Sequence, residues 1–198
     1  FMIIIYVLFI FLEEVNFHKK LLLAFSTKNK QDKISTVIDE IEASVTNYLG
    51  LKTLVSLSTG FLSYLVLLLI GIDAPIFWAF LITLLNYIPT IGSLIATVFP
   101  ATYCLLQFGE LYPFVLVLIL VGLIQIIIGN ILEPRLMGNS LNISSLATLI
   151  TLSIWGSIWG ITGMFLSVPF SVILIIILSQ FPSTRPVAIM LSDKGEIN

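Results

Sequence analysis

The sequence predicts an all-α protein: a polytopic bundle of transmembrane helices with a re-entrant or broken helical hairpin and an amphipathic interfacial helix. Three observations predict it. The 198 residues are 58% hydrophobic and only 10% charged, whereas a soluble domain carries about 25% charged residues. The charges are segregated: twelve lie between Glu13 and Lys52, and only Asp73, Glu110, Glu133 and Arg135 fall between 53 and 184. Those four leave uncharged stretches at 53–72, 74–109, 111–132 and 136–184, and a hydrocarbon layer about 30 Å thick is crossed by roughly 20 apolar helical residues.

The elements follow in order. Phe1 stands inside an apolar run with no initiator Met. Residues 1–12 read as the end of a spanning helix belonging to a longer chain, because a signal peptide would need a basic region ahead and a small-residue cleavage site behind. Residues 13–52 read as a cytoplasmic polar segment. Within it Ile34, Val37, Ile38, Ile41, Val45, Tyr48 and Leu49 recur at helical spacing, with Asp39, Glu40 and Glu42 on the other side. Such a helix can lie in the interface or pack on protein, and its acidic polar face favours packing. Residues 53–181 form the bundle, with spans expected at 53–72, 111–132, 143–159 and 161–180 and a hairpin at 76–108. Residues 182–198 read as a cytoplasmic tail.

Cytoplasmic loops are enriched in Lys and Arg. Placing Lys19, Lys20, Lys28, Lys30, Lys33 and Lys52 inside, with Arg135, Arg185 and Lys194, leaves no basic residue outside. Asp73 and Glu110 then both face out, so 76–108 must begin and end on one side. The alternative is a single bent crossing. The middle of this stretch reads Asn86-Tyr87-Ile88-Pro89-Thr90-Ile91-Gly92-Ser93. Pro89 breaks helical hydrogen bonding and biases Ile88 away from the α region, while Gly92 permits a close backbone approach. Unwound backbone at membrane depth is tolerated only where protein or a wet cavity satisfies it.

Several function classes are disfavoured. A net charge of −2 offers no basic surface for nucleic acid. The single Cys104 and single His18 make no metal-ligand set, no phosphate-binding glycine loop is present, and no paired carboxylates or Ser/His pair occur in the spans. No cofactor, no metal and no enzymatic activity are expected.

The candidate pathway residues are the polar ones stranded in apolar sequence. Asn86, Thr90, Gly92 and Ser93 surround the hairpin break, where interrupted helices can expose N–H and C=O groups to a solute or ion; the same groups could instead bond neighbouring helices. Gln125 lies within a span. Asn130 and Glu133 share a helix face, and Glu133 can bind a proton or sodium or pair with Arg135. Pro134 is expected to end that helix near the membrane interface. Pro89, Gly138, Gly156, Gly160 and Pro169 are expected structural breaks, and Gly156 with Gly160 forms a GxxxG pair that lets helices approach. Trp78, Trp155 and Trp159 read as anchors or packing residues.

Three stretches carry a family resemblance: Leu84–Ser93, Asn130–Leu141 with its Glu133-Pro134-Arg135 core, and Trp155–Pro169. In order and spacing they resemble the AI-2E family of bacterial permeases. The resemblance covers nearly the whole chain, which would begin within the third span of the family's bundle. It implies a multi-pass protein of the bacterial cytoplasmic membrane. It also implies secondary export of a small polar molecule such as autoinducer-2, or sodium/proton exchange. A non-transporting membrane scaffold is the competing reading. The expected partners are the lipid bilayer, a small polar solute or a monovalent cation or proton, and further copies of the chain.

Overall fold

The structure, a computed structural model, describes residues 2–23, 28–137, 143–193 and 195. Gly138, expected as a break, lies outside them. Every regular element among the described residues is a helix, with α1 at Met2–Leu23, α2 at Lys28–Ile70, α3 at Pro75–Leu85, α4 at Ile91–Phe108 and α5 at Leu111–Ile127. A π-helical segment at Ile128–Leu132 runs from α5 into α6 (Glu133–Met137), and α7 (Ser145–Trp159), α8 (Ile161–Ser179) and α9 (Arg185–Leu191) follow. The chain divides into two units, Phe1–Ala43 and Ser44–Asn198.

The first unit holds α1 and the beginning of α2. Helix α1 continues past the apolar run that ends at Leu12, through Leu23. On α2, Ile34, Val37, Ile38 and Ile41 are half-buried and Asp39, Glu40 and Glu42 are exposed, as the helical spacing predicts.

The second unit holds the rest. Helix α2 runs from Lys28 to Ile70, so the amphipathic stretch and the first full span belong to a single helix. Its buried side from Tyr48 onward is a stripe of Tyr48, Lys52, Val55, Ser56, Thr59, Ser63 and Leu67. These positions recur every three or four residues, the helical repeat. A second cluster joins Leu67 and Ile72 to Ile82 of α3, Ala96, Ala101 and Cys104 of α4, and Val117 and Val121 of α5. Cys104 is therefore a packing residue. Lipid tails are as apolar as Leu, so helices in a membrane associate through close packing of small side chains. Gly60 shows this: a Cβ there would collide with the Thr83 hydroxyl of α3.

Helices α3 and α4 form a hairpin whose open ends meet. The Asp73 N–H donates to Gln107 Oε1 at 2.9 Å, and Gln107 Nε2 donates to the Gly71 carbonyl at 3.0 Å. Helices α7 and α8 form another hairpin around Gly160, which turns the chain at φ +62°. Within it, a Cβ on Gly163 would strike the Trp155 carbonyl and one on Gly156 would press on Met164. The close packing expected of the Gly156/Gly160 pair is instead made by Gly156 and Gly163 inside one hairpin, because Gly160 is the turn itself and a Cβ there would meet nothing within 4 Å.

Three expected interruptions are absent. The chain is helical through Gly156 and through Pro169, so neither ends a helix. The helix expected to stop at Pro134 continues to Met137, because the π segment widens the turn that the proline ring would otherwise crowd. Among the described residues, Gln31–Ile70, Ile91–Phe108, Leu111–Met137 and Ile161–Ser179 are long and apolar enough to cross a membrane. Met2–Glu13, Pro75–Leu85 and Ser145–Trp159 are apolar and shorter. Large side chains such as Leu54, Phe61, Leu69, Phe80, Leu94 and Ile119 stand exposed along the helices, a surface suited to lipid and not to water.

Candidate functional site

The break between α3 and α4 is built stepwise. Tyr87 and Ile88 donate backwards to the Leu84 and Leu85 carbonyls at 3.2 and 2.9 Å, a tightened final turn. Pro89 then stops the ladder. Thr90 sits at φ +58°, ψ −59°, and the Ile91 N–H closes onto the Pro89 carbonyl at 2.6 Å. This is a γ-turn of the rare, strained hand. A β-branched residue at positive φ is a true outlier, and such strain persists only where its surroundings over-determine it.

Those surroundings are visible. Asn86 is buried, and its Nδ2 donates to Ser56 Oγ at 3.2 Å and Thr59 Oγ1 at 3.5 Å on α2. The Tyr87 hydroxyl donates to Thr53 Oγ1 at 2.7 Å, and Thr53 in turn donates to the Leu49 carbonyl at 2.6 Å. The Tyr87 ring stacks on Phe165 of α8 with centroids 4.4 Å apart. Gly92 packs so tightly that a Cβ would overlap the Leu85 carbonyl. The turn is therefore clamped between α2 and α8.

The π segment is the second irregular element. The Glu133 N–H bonds to the Ile128 carbonyl, one residue further back than in an α-helix. Pro134 has no N–H to offer the Asn130 carbonyl. The Gly129 and Asn130 carbonyls thus both lose their usual α-helical donors.

Turn and π segment face one cavity of about 460 Å³. Helix α2 contributes Tyr48 and Lys52; the turn and α4 contribute Asn86, Ile88, Pro89, Thr90 and Ser93. Gln125, Ile126, Gly129, Asn130 and Glu133 line it from the α5–α6 rod, with Ile143, Thr148 of α7 and Val168 of α8. Lys52 Nζ and Glu133 Oε1 are 2.5 Å apart, with side chains only 6% and 20% exposed. Gln125 Nε2 is buried with no hydrogen-bond partner among the described residues.

Of the residues singled out in sequence, Asn86, Thr90, Ser93, Gln125, Asn130 and Glu133 line this one cavity. Gly92 lies beneath the turn as a packing contact. Arg135 is exposed and does not line it; of the alternatives open to Glu133, the pairing with Arg135 is not seen, and the carboxylate is paired with Lys52. Tyr48, Lys52 and Thr148 were not anticipated. Lys52 was grouped with the solvated basic residues, yet it is buried. The available signal was register, since Tyr48, Lys52 and Ser56 are four residues apart on one helix face.

A multi-pass helical bundle with a polar cavity walled by interrupted helices is an architecture that many membrane transporters share. The family model for AI-2E family transporters matches residues 1–183, and the chain belongs to that family as a multi-pass bacterial inner-membrane protein. A provisionally named transport protein of Borreliella burgdorferi is 38% identical over 183 residues, covering 90% of this chain and 49% of that protein. The AI-2 transport protein TqsA of Escherichia coli is 41% identical over 150 residues, 76% of this chain and 43% of its own length. A provisionally named transport protein of Haemophilus influenzae is 36% identical over 194 residues, 98% of this chain and 56% of its own. The chain spans about half the length of these relatives.

Proposed function

We propose that this chain forms the solute pathway of a secondary permease that exports a small polar molecule such as autoinducer-2, the solute for which TqsA is named. One observation carries the reading: the strained turn at Asn86–Thr90 and the π segment at Ile128–Leu132 meet at the same polar cavity. Burying polar groups in apolar surroundings is costly unless they are bonded. Two irregular elements gathering polar groups around one void are most simply explained by a transient occupant. A volume of about 460 Å³ falls in the range of small-molecule sites. In this reading 76–108 is a re-entrant hairpin whose turn reaches the pathway, the basic segments face the cytoplasm, and further copies of the chain associate in the membrane.

Sodium/proton exchange through the same cavity is the second reading. It is favoured by Glu133, a carboxylate on the cavity wall next to the π-segment residues Gly129 and Asn130. The test is flux from proteoliposomes of full-length protein loaded with autoinducer-2, under imposed proton and sodium gradients. Efflux above protein-free vesicles, reduced by Asn86→Ala, supports the proposal. Folded protein that moves neither autoinducer-2, sodium nor protons overturns it.

A further inference from the structure

The cavity wall contains the usual ingredients of a cation site. Hard monovalent and divalent cations are held by carboxylate and carbonyl oxygens, and broken transporter helices supply them from unwound backbone. Glu133 provides the carboxylate. Gly129 and Asn130, whose carbonyls lose their usual α-helical donors at the π register and at Pro134, line the same wall. Yet that carboxylate already has a cation. Lys52 reaches it from α2, across 81 positions of sequence, at 2.5 Å. Its side chain is 6% exposed.

The contrast with Lys20 and Glu13 is instructive. That pair is 65% and 61% exposed, where an ion pair contributes little. A lysine stem buried to its tip beside a cavity is different. The ammonium is a compact point charge with three donors, close in function to a small monovalent ion but tied to the chain. Lys52 and Glu133 are the only charged side chains on the cavity wall among the described residues. Helices α4, α7 and α8 contain no charged residue at all. The pair leaves the wall neutral, with no uncompensated carboxylate to attract a free cation.

We propose that the Lys52 ammonium is a tethered cation seated on Glu133, beside the π segment, where a sodium ion would otherwise be held, so that the permease works without sodium. This assignment rests on the permease reading and narrows it, because it separates this chain from sodium exchange at the same site. It makes Lys52 the residue that determines ion specificity. It also ties α2 to the start of α6 permanently, where a diffusible ion would tie them only when bound.

The test compares melting of full-length detergent-purified protein in sodium chloride and in choline chloride at equal ionic strength. Wild type is expected to melt at the same temperature in both. Lys52→Met, which keeps the apolar stem, is expected to melt several degrees lower in choline and to recover much of the loss as sodium saturates the vacated position. Lys52→Met with Glu133→Gln is expected to lose that sodium response. A wild type stabilised by sodium as strongly as Lys52→Met overturns the proposal, as does a Lys52→Met protein indifferent to sodium. Should Lys52→Met not fold, wild-type flux decides: equal rates in sodium and choline support the assignment, and sodium-driven flux refutes it. A wild type that moves no solute sinks the permease reading, while the melting comparison still decides the cation position.

Discussion

The backbone N–H of Asp73 is hydrogen-bonded to the side chain of Gln107, 2.9 Å away and 34 positions along the chain. The bond closes the mouth of the α3–α4 hairpin, so both ends of 76–108 lie at one end of the bundle. Cysteines at Ala74 and Glu110, both exposed, are therefore expected to react with an impermeant thiol reagent from the same side of the membrane. Cys104 is fully buried and stays unreactive. Labelling from opposite sides would replace the hairpin with a bent crossing.

Gly92→Ala is expected to destabilise the protein by about 1–3 kcal/mol, the usual effect of overpacking, because its Cβ overlaps the rigid Leu85 backbone. A Cβ on Gly129 would meet nothing within 4 Å, so Gly129→Ala serves as the tolerated control. Thermal melting of both variants checks the pair. Equal melting temperatures would contradict the close approach at the turn.

Neutralising either member of the Lys52–Glu133 pair leaves a buried charge alone, which costs about 3–5 kcal/mol. The double variant Lys52→Met/Glu133→Gln is expected to regain much of that loss. A double-mutant cycle by denaturant unfolding or melting reads the coupling. Additive losses would mean that the two side chains do not interact in the folded protein.

Tyr87→Phe keeps the ring on Phe165 and removes only the hydroxyl bond to Thr53. The expected cost is about 1 kcal/mol, with a larger one for Tyr87→Ala, which also loses the stack. Identical effects would show that the ring contributes nothing to clamping the turn.

Gln125 separates folding from transport. Its amide nitrogen has no partner among the described residues, and replacing an unsatisfied buried polar group by an apolar one is near neutral or stabilising. Gln125→Leu is expected to melt no lower than wild type while passing less solute. A clear drop in stability with unchanged flux would make Gln125 a structural residue.

Much of this arrangement was readable from polarity alone. Asn86, Ser93, Gln125 and Asn130 lie in apolar runs, where a polar side chain needs company, and they come together at one cavity. Lys52 was not readable in the same way. It stands at the edge of a charge-rich segment and resembles a solvated residue until α2 is known to run unbroken from Lys28 to Ile70. Pro134 misled for a related reason. A lone proline predicts a helix end, but the preceding Gly129 and Asn130 permit a π turn that carries the helix past it. Pro169 is likewise housed inside α8, because neighbouring groups in a bundle can re-satisfy the freed carbonyl.

Aqueous access to the cavity tests the central claim most directly. Cysteines placed singly at Ser93 and Asn130 in full-length protein, in membranes, are treated with a charged thiol reagent with and without autoinducer-2. The account predicts that both react and that solute slows both. Two positions inert to the reagent, in protein shown to be folded, would mean a dry, structural cavity and would contradict it.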